Sequence, residues 1–172
     1  MKALIRDARL EDLPRIVGIY NAAIPGRRAT ADTEPITVES RMDWFYAHNA
    51  GDRPLWVYVT QNEGDRMGTI LGWISLNSFY GRPAYQATTE VSIYVAPEAQ
   101  GQGIGSCLLQ KIIAHCQTSE IKTVMGFVFA HNDPSLNLLQ KFGFEQWGYC
   151  PRIALLDGEE KDLVILGKRI RI

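Results

Sequence analysis

Gln100-Gly101-Gln102-Gly103-Ile104-Gly105 is the segment best equipped for chemistry. It follows a β-rich run ending Ile93-Tyr94-Val95-Ala96-Pro97. It leads into a stretch where Ile104, Leu108, Leu109, Ile112 and Ile113 recur at helical spacing. Glycines at such a junction let the backbone come close to a ligand, and the free N–H groups of a first helical turn attract phosphate oxygens. A glycine-rich turn with no ligand is the plain alternative. A dinucleotide fingerprint needs glycine at 106, where Ser106 stands, and a P-loop ends in Gly-Lys-Ser/Thr, where Gly105-Ser106-Cys107 stands. Upstream, Thr88 to Val95 alternates, with Val91, Ile93 and Val95 on one face and Glu90, Ser92 and Tyr94 on the other. A carboxylate on a half-buried strand is costly unless solvated or paired, so Glu90 requires either a task or an arginine such as Arg82. His48, His115 and His131 are scattered without ligand spacing, and no metal site is expected. Cys107, Cys116 and Cys150 show no C-x-x-C spacing and read as reduced thiols, the first two in the core.

These residues sit in a chain of alternating strand and helix patterns. Ala3–Ala8 reads as an edge strand, and Leu10, Leu13, Ile16, Val17 and Tyr20 mark an amphipathic helix over 10–23. The long polar segment 23–35 is a candidate functional loop. Thr37 offers an N-cap for a second helix to about Asn49, anchored by Trp44 and Phe45. A hairpin follows, Leu55–Thr60 and Met67–Leu76, turning at 62–65, and then an aromatic loop, Phe79 to Tyr85. After the glycine turn and its helix come a strand over Ile121–Ala130, a short helix over Pro134–Phe142, a strand over Phe144–Tyr149 and a closing β-rich run over Lys161–Ile170. The order implies an α/β domain built on one mixed sheet with helices on both faces.

Composition sets the outer bounds. The 172 residues suit one domain, with 46% hydrophobic and 22% charged residues against long disorder. Lys and Arg number 18 against 19 Asp and Glu, a net charge of -1 that gives no reason to expect nucleic acid or an anionic membrane as partner. No apolar run approaches the ~20 residues of a membrane span, and charges at Lys2, Arg6 and Asp7 interrupt any signal-like core. A soluble cytoplasmic protein is expected.

The pattern Gln-x-x-Gly-x-Gly after that strand resembles the pyrophosphate loop of the GNAT superfamily of N-acetyltransferases. Asn132-Asp133-Pro134-Ser135 followed by Lys141-Phe142-Gly143-Phe144 resembles its second acetyl-CoA motif. Within the superfamily, several segments resemble the phosphinothricin and methionine-sulfoximine N-acetyltransferase branch: Ile19-Tyr20-Asn21, Ala31-Asp32-Thr33-Glu34-Pro35, Arg41 with Trp44-Phe45, and Gly81-Arg82-Pro83-Ala84-Tyr85 before Thr89 to Val95. The resemblance covers residues 3–149. It implies a single GNAT domain over 1–172 with a mostly antiparallel sheet of about seven strands, acetyl-CoA as cofactor with CoA as product, and a homodimer.

It also implies roles. Ile93, Tyr94 and Val95, the turn Gln100, Gly101, Gln102, Gly103, Ile104, Gly105 and Ser106, and then Asn132, Ser135 and Lys141 would hold acetyl-CoA. Acetyl transfer to an amine needs alignment, a proton acceptor and oxyanion stabilisation. Glu90 is the expected base, on the face it shares with Tyr94. Arg82 would bind a substrate carboxylate in a bidentate fork, helped by Arg27 or Arg28, with Phe79, Tyr80 and Tyr85 as walls and Thr33 and Glu34 near the cleft. The family's usual Tyr or His for the leaving thiolate is replaced by Leu139, which leaves three options: an unprotonated thiolate, Tyr94 or Tyr149. The aromatic that herbicide-modifying members carry before the last strand's aspartate is missing, while Asp162 keeps its place. The expected reaction is acetylation of the α-amino group of a small amino acid or analogue. A protein or peptide acceptor, or a non-catalytic acyl-CoA sensor, is the alternative.

Overall fold

The alternating runs pair into a single seven-stranded sheet in the computed structural model, which describes residues 1–171. The strands are β1 (Lys2–Asp7), β2 (Leu55–Gln61), β3 (Thr69–Ser78), β4 (Thr88–Val95), β5 (Thr123–Phe129), β6 (Glu145–Leu156) and β7 (Glu159–Arg169). Their order across the sheet is β1-β2-β3-β4-β5-β7-β6, antiparallel at every step except β4 to β5. The helices are α1 (Leu13–Ala23), α2 (Met42–Tyr46), α3 (Ile104–Gln117) and α4 (Asp133–Lys141).

Two neighbouring residues of β3 show how the layers stack, because successive side chains of a strand point to opposite faces. The Trp73 indole donates to the Ile16 carbonyl of α1 at 3.1 Å and meets Trp44 of α2 edge-on, with ring centres 5.5 Å apart. Gly72 instead faces α3, where a β-carbon would stand 3.0 Å from Ile104. α4 lies beside α3, with Leu138 against Gly105 and the buried Leu139 against Gly126 of β5. Thus α1 and α2 cover one face, and α3 and α4 the other. Ile74, Leu76, Leu108, Leu109 and Ile112 are fully enclosed between layers. Among the described residues no helix is long and apolar enough to cross a membrane.

Three expectations change. The helix expected over 37–49 is one 3-10 turn (Glu39–Arg41) and the five-residue α2. Thr37 accepts the Ser40 N–H at 3.1 Å, but the cap position of the turn is Val38. However, Asn49 accepts the Gly51 and Asp52 N–H groups and turns the chain away. Trp44 and Phe45 pack against the core, leaving Tyr46 exposed. The last hairpin is longer than expected. Leu156 pairs with Glu159 across Asp157 and Gly158, both at positive φ (51° and 80°), a two-residue turn of the kind Asp-Gly favours. Pro151 does not end β6, because the ladder skips from Cys150 to Ala154 and bulges around it. Cys107 is exposed, and of the helix pair only Cys116 is a core thiol.

Candidate active site

β4 is paired with β5 only at its start, Thr88–Glu90 against Thr123–Met125, while β5 stays bonded to β7 through Phe129. The two strands therefore diverge after Glu90, and backbone groups of Val91–Val95 turned toward β5 have no strand partner. Ile93, Tyr94 and Val95 line this wedge. Beyond it, Pro97–Ala99 makes a single 3-10 turn and the chain enters α3 through Gly101 and Gly103, at φ +76° and +79°. A β-carbon would meet nothing within 4 Å at either glycine, so the left-handed backbone, not crowding, is what calls for glycine. No side chain caps α3, and the N–H groups of Ile104, Gly105 and Ser106 face outward at the positive end of a 14-residue helix. Phosphates fit such a terminus. Beside it, buried Asn132 accepts the Ser135 N–H at 3.4 Å and caps α4, and among the described residues its Nδ2 has no partner. An extended amide-bearing arm could accept from that group. Lys141 stands at the other end of α4, exposed over the Phe142 ring, about 13.5 Å along the axis from Asn132.

On the α1 and α2 face, Glu90, Ser92 and Tyr94 line a cavity of about 330 Å³ with Trp73, Asn77, Trp44, Arg41 and residues of α1. Among the described residues the Glu90 carboxylate has no ion-pair partner, and burial pushes its pKa up. Pairing with Arg82 is therefore not what accommodates it. Across the sheet from Glu90, Asn77 accepts the Trp44 indole N–H at 3.1 Å and lies 3.1 Å from His48 Nε2. His48 Nδ1 donates to the Trp44 carbonyl at 2.7 Å, and burial pushes the imidazole pKa down. Tyr94 stacks on Trp73 with centres 4.9 Å apart, meets Tyr20 edge-on and donates to the Ala29 carbonyl at 3.0 Å. Burial, then the neighbouring Tyr20, push its phenol far above the ordinary value. The Tyr20 hydroxyl is bonded to Thr30 and Asp32. These two tyrosines draw the 24–35 loop onto the cavity rim.

Other expected residues fall elsewhere. Arg82 is exposed and outside the cavity lining, and Phe79, Tyr80 and Tyr85 pack on one another and on Phe127. Thr33 uses its carbonyl to hold Arg27, whose Nε pairs with Asp157 at 3.0 Å, while Glu34 and Arg28 are exposed. Leu139 is core, and Tyr149 donates to Asp162. Asn77 escaped notice in the sequence, and His48 was weighed there only as a metal ligand. The signal lay in the antiparallel register, which sets Asn77 opposite Glu90, and a polar residue closing an otherwise apolar run could have pointed to it.

An unpaired carboxylate, a backbone wedge and an uncapped glycine turn thus follow one another from Glu90 to Ser106, the arrangement of an acyltransferase site. Comparison with known proteins gives the family. Residues 3–144 match the model of the Acetyltransferase (GNAT) family, and the chain belongs to it. It is an acetyl-CoA-dependent N-acetyltransferase. It is 47% identical over 166 residues to YwnH of Bacillus subtilis (strain 168), provisionally named a phosphinothricin acetyltransferase, covering 96% of this chain and 98% of that one. It is 30% identical to the L-methionine sulfoximine/L-methionine sulfone acetyltransferase of Pseudomonas aeruginosa, over 96% of this chain and 94% of the other. The solved phosphinothricin acetyltransferase of Sinorhizobium meliloti in complex with acetyl-CoA superposes with a TM-score of 0.87 at 27% identity, over 98% and 89% of the chains.

Proposed function

We propose that the enzyme transfers acetyl directly to the α-amino group of a small amino acid or analogue, of the phosphinothricin or methionine sulfoximine type, with Glu90 as general base. The observation that carries this is the unpaired, half-buried Glu90 carboxylate inside a cavity of about 330 Å³ walled by aromatic rings. That volume suits a small amine better than a peptide. Bound acetyl-CoA supplies an activated thioester. The Val91–Val95 backbone, the turn from Gln100 to Ser106, and Asn132 and Ser135 are the groups of this chain that hold it. Glu90 takes a proton from the substrate ammonium, and its raised pKa makes it a better acceptor than a free carboxylate. Tyr94 serves as a wall and as the latch on Ala29. With its proton held so tightly, it is a weaker acid than a thiol, which ionises at about 8.5. A thiolate released in this site would not draw its proton from Tyr94.

The exposed side chains along β6 support a homodimer, and three unpaired cysteines support a reducing cytoplasm. The test is Glu90→Gln, assayed with methionine sulfone, phosphinothricin, a polyamine and a basic peptide. Turnover of the amino-acid analogues should fall about 10²-fold or more while acetyl-CoA affinity holds. Unchanged turnover would remove Glu90 from the chemistry, and wild-type activity confined to the peptide would overturn the substrate class.

A further inference from the structure

Among the residues that line the Glu90 cavity, Arg41 alone is cationic. Its guanidinium is held by faces rather than by acceptors. It lies 5.2 Å from the centre of the Tyr20 ring and 5.6 Å from that of Trp44. Rings at those distances attract the cation and fix its place without using its N–H groups. Its one carboxylate neighbour, Asp32, makes a long ion pair with it at 3.7 Å, beyond hydrogen-bond range, and is itself engaged by the Tyr20 hydroxyl, so the pair leaves the guanidinium donors free. Among the described residues the Arg41 side chain donates no hydrogen bond, although it is only partly exposed. The buried Arg53, by contrast, spends its guanidinium on Ser78, Asp52 and Gln86. A guanidinium fixed in position with its five donors unspent is a receptor for a carboxylate, which it binds in a two-pronged fork.

The cavity thus carries one anion, Glu90, and one cation, Arg41, on apolar walls from Ile16, Val17 and Trp44. We infer that Arg41, in place of Arg82, receives the substrate carboxylate, so that the site binds an α-amino acid as its zwitterion, with the ammonium at Glu90 and the carboxylate at Arg41. This rests on the small-amine reading above and narrows its substrate class. Rejection of amines without a carboxylate follows, because such a ligand leaves the Arg41 donors unanswered in a partly desolvated pocket.

The experiment compares L-methionine sulfone with 3-(methylsulfonyl)propylamine, the same amine lacking its carboxylate. Wild-type kcat/KM should favour the amino acid by roughly 10²-fold. Arg41→Gln should raise KM for the sulfone by about 30-fold or more and leave kcat/KM for the propylamine within about twofold. Unchanged acetyl-CoA KM in the propylamine assay reports a folded enzyme. Arg41→Lys, which keeps the charge and loses the fork, should give an intermediate KM and decides the matter if the glutamine variant does not fold. Arg82→Gln is run in parallel. A KM loss in that variant with Arg41→Gln unchanged would overturn the inference and restore Arg82. A wild type that acetylates neither compound would instead sink the small-amine reading itself, which separates the two failures.

Discussion

Burial of Glu90 has a consequence for stability as well as for catalysis. Its folded pKa is raised, so the folded state holds a proton more tightly than the unfolded chain, and ionising it works against folding. The cost is absent below the ordinary glutamate value of 4.5 and complete above the raised value. Glu90→Gln should therefore melt roughly 1–3 °C higher than wild type at pH 8, and the gain should vanish on going below that ordinary value. Thermal melts across pH test this, and an equal gain at every pH would show that the carboxylate's charge is not the cause. The same group should set the acid limb of kcat/KM, falling as pH drops through the raised value. Sequence alternation alone put Glu90, Ser92 and Tyr94 on one face. The role inferred for Arg41 was not legible that way. Arg82 lies nearer Glu90 along the chain, whereas Arg41 reaches the cavity through the packing of Trp44 on Trp73, a contact between elements that no local pattern encodes.

At the scale of elements, the strand-to-helix junction at the glycine turn was legible because its requirement is local. Positive φ at Gly101 and Gly103 follows from turning a strand end sharply into a helix, and glycine marks it in the sequence. Gly103→Ala should cost about 1–2 kcal/mol of stability through backbone strain alone, since the added methyl meets nothing within 4 Å. It should also raise acetyl-CoA KM roughly tenfold by re-aiming the first-turn N–H groups. Denaturant melts and initial rates at varied acetyl-CoA check both, and an intact KM would detach the turn from cofactor binding. By contrast, the strand divergence after Glu90 leaves no local signature, because Val91–Val95 is as β-rich as a paired strand. The longer β6 hairpin was hidden by Pro151, although Asp157-Gly158 between apolar residues was a hairpin signal in its own right.

For the whole molecule, the open question is what covers the outer edge of the sheet. β6 ends the strand order, and Trp147, Tyr149, Ile153 and Leu155 stand on it between 45% and 65% exposed. Apolar side chains in a row on an edge strand are a liability unless a partner covers them. Strand addition is blocked at the middle of this edge, because Pro151 has no N–H and the backbone bulges around it, with Arg152 at φ +49°. Side-chain packing between two copies would cover the row without strand addition. It would also put the Asp157–Gly158 turn, which holds Arg27 of the rim loop, close to the subunit boundary. The wild-type chain should accordingly sediment at twice its monomer mass at micromolar concentration. Leu155→Glu, at an exposed site that costs the fold little, should sediment as a monomer with a melting curve within roughly 2 °C of wild type. A wild type that stays monomeric, or a glutamate variant that stays dimeric, would move the interface off β6. If dissociation also raises KM for the amine while acetyl-CoA KM holds, the rim loop takes its active position from the assembled hairpins.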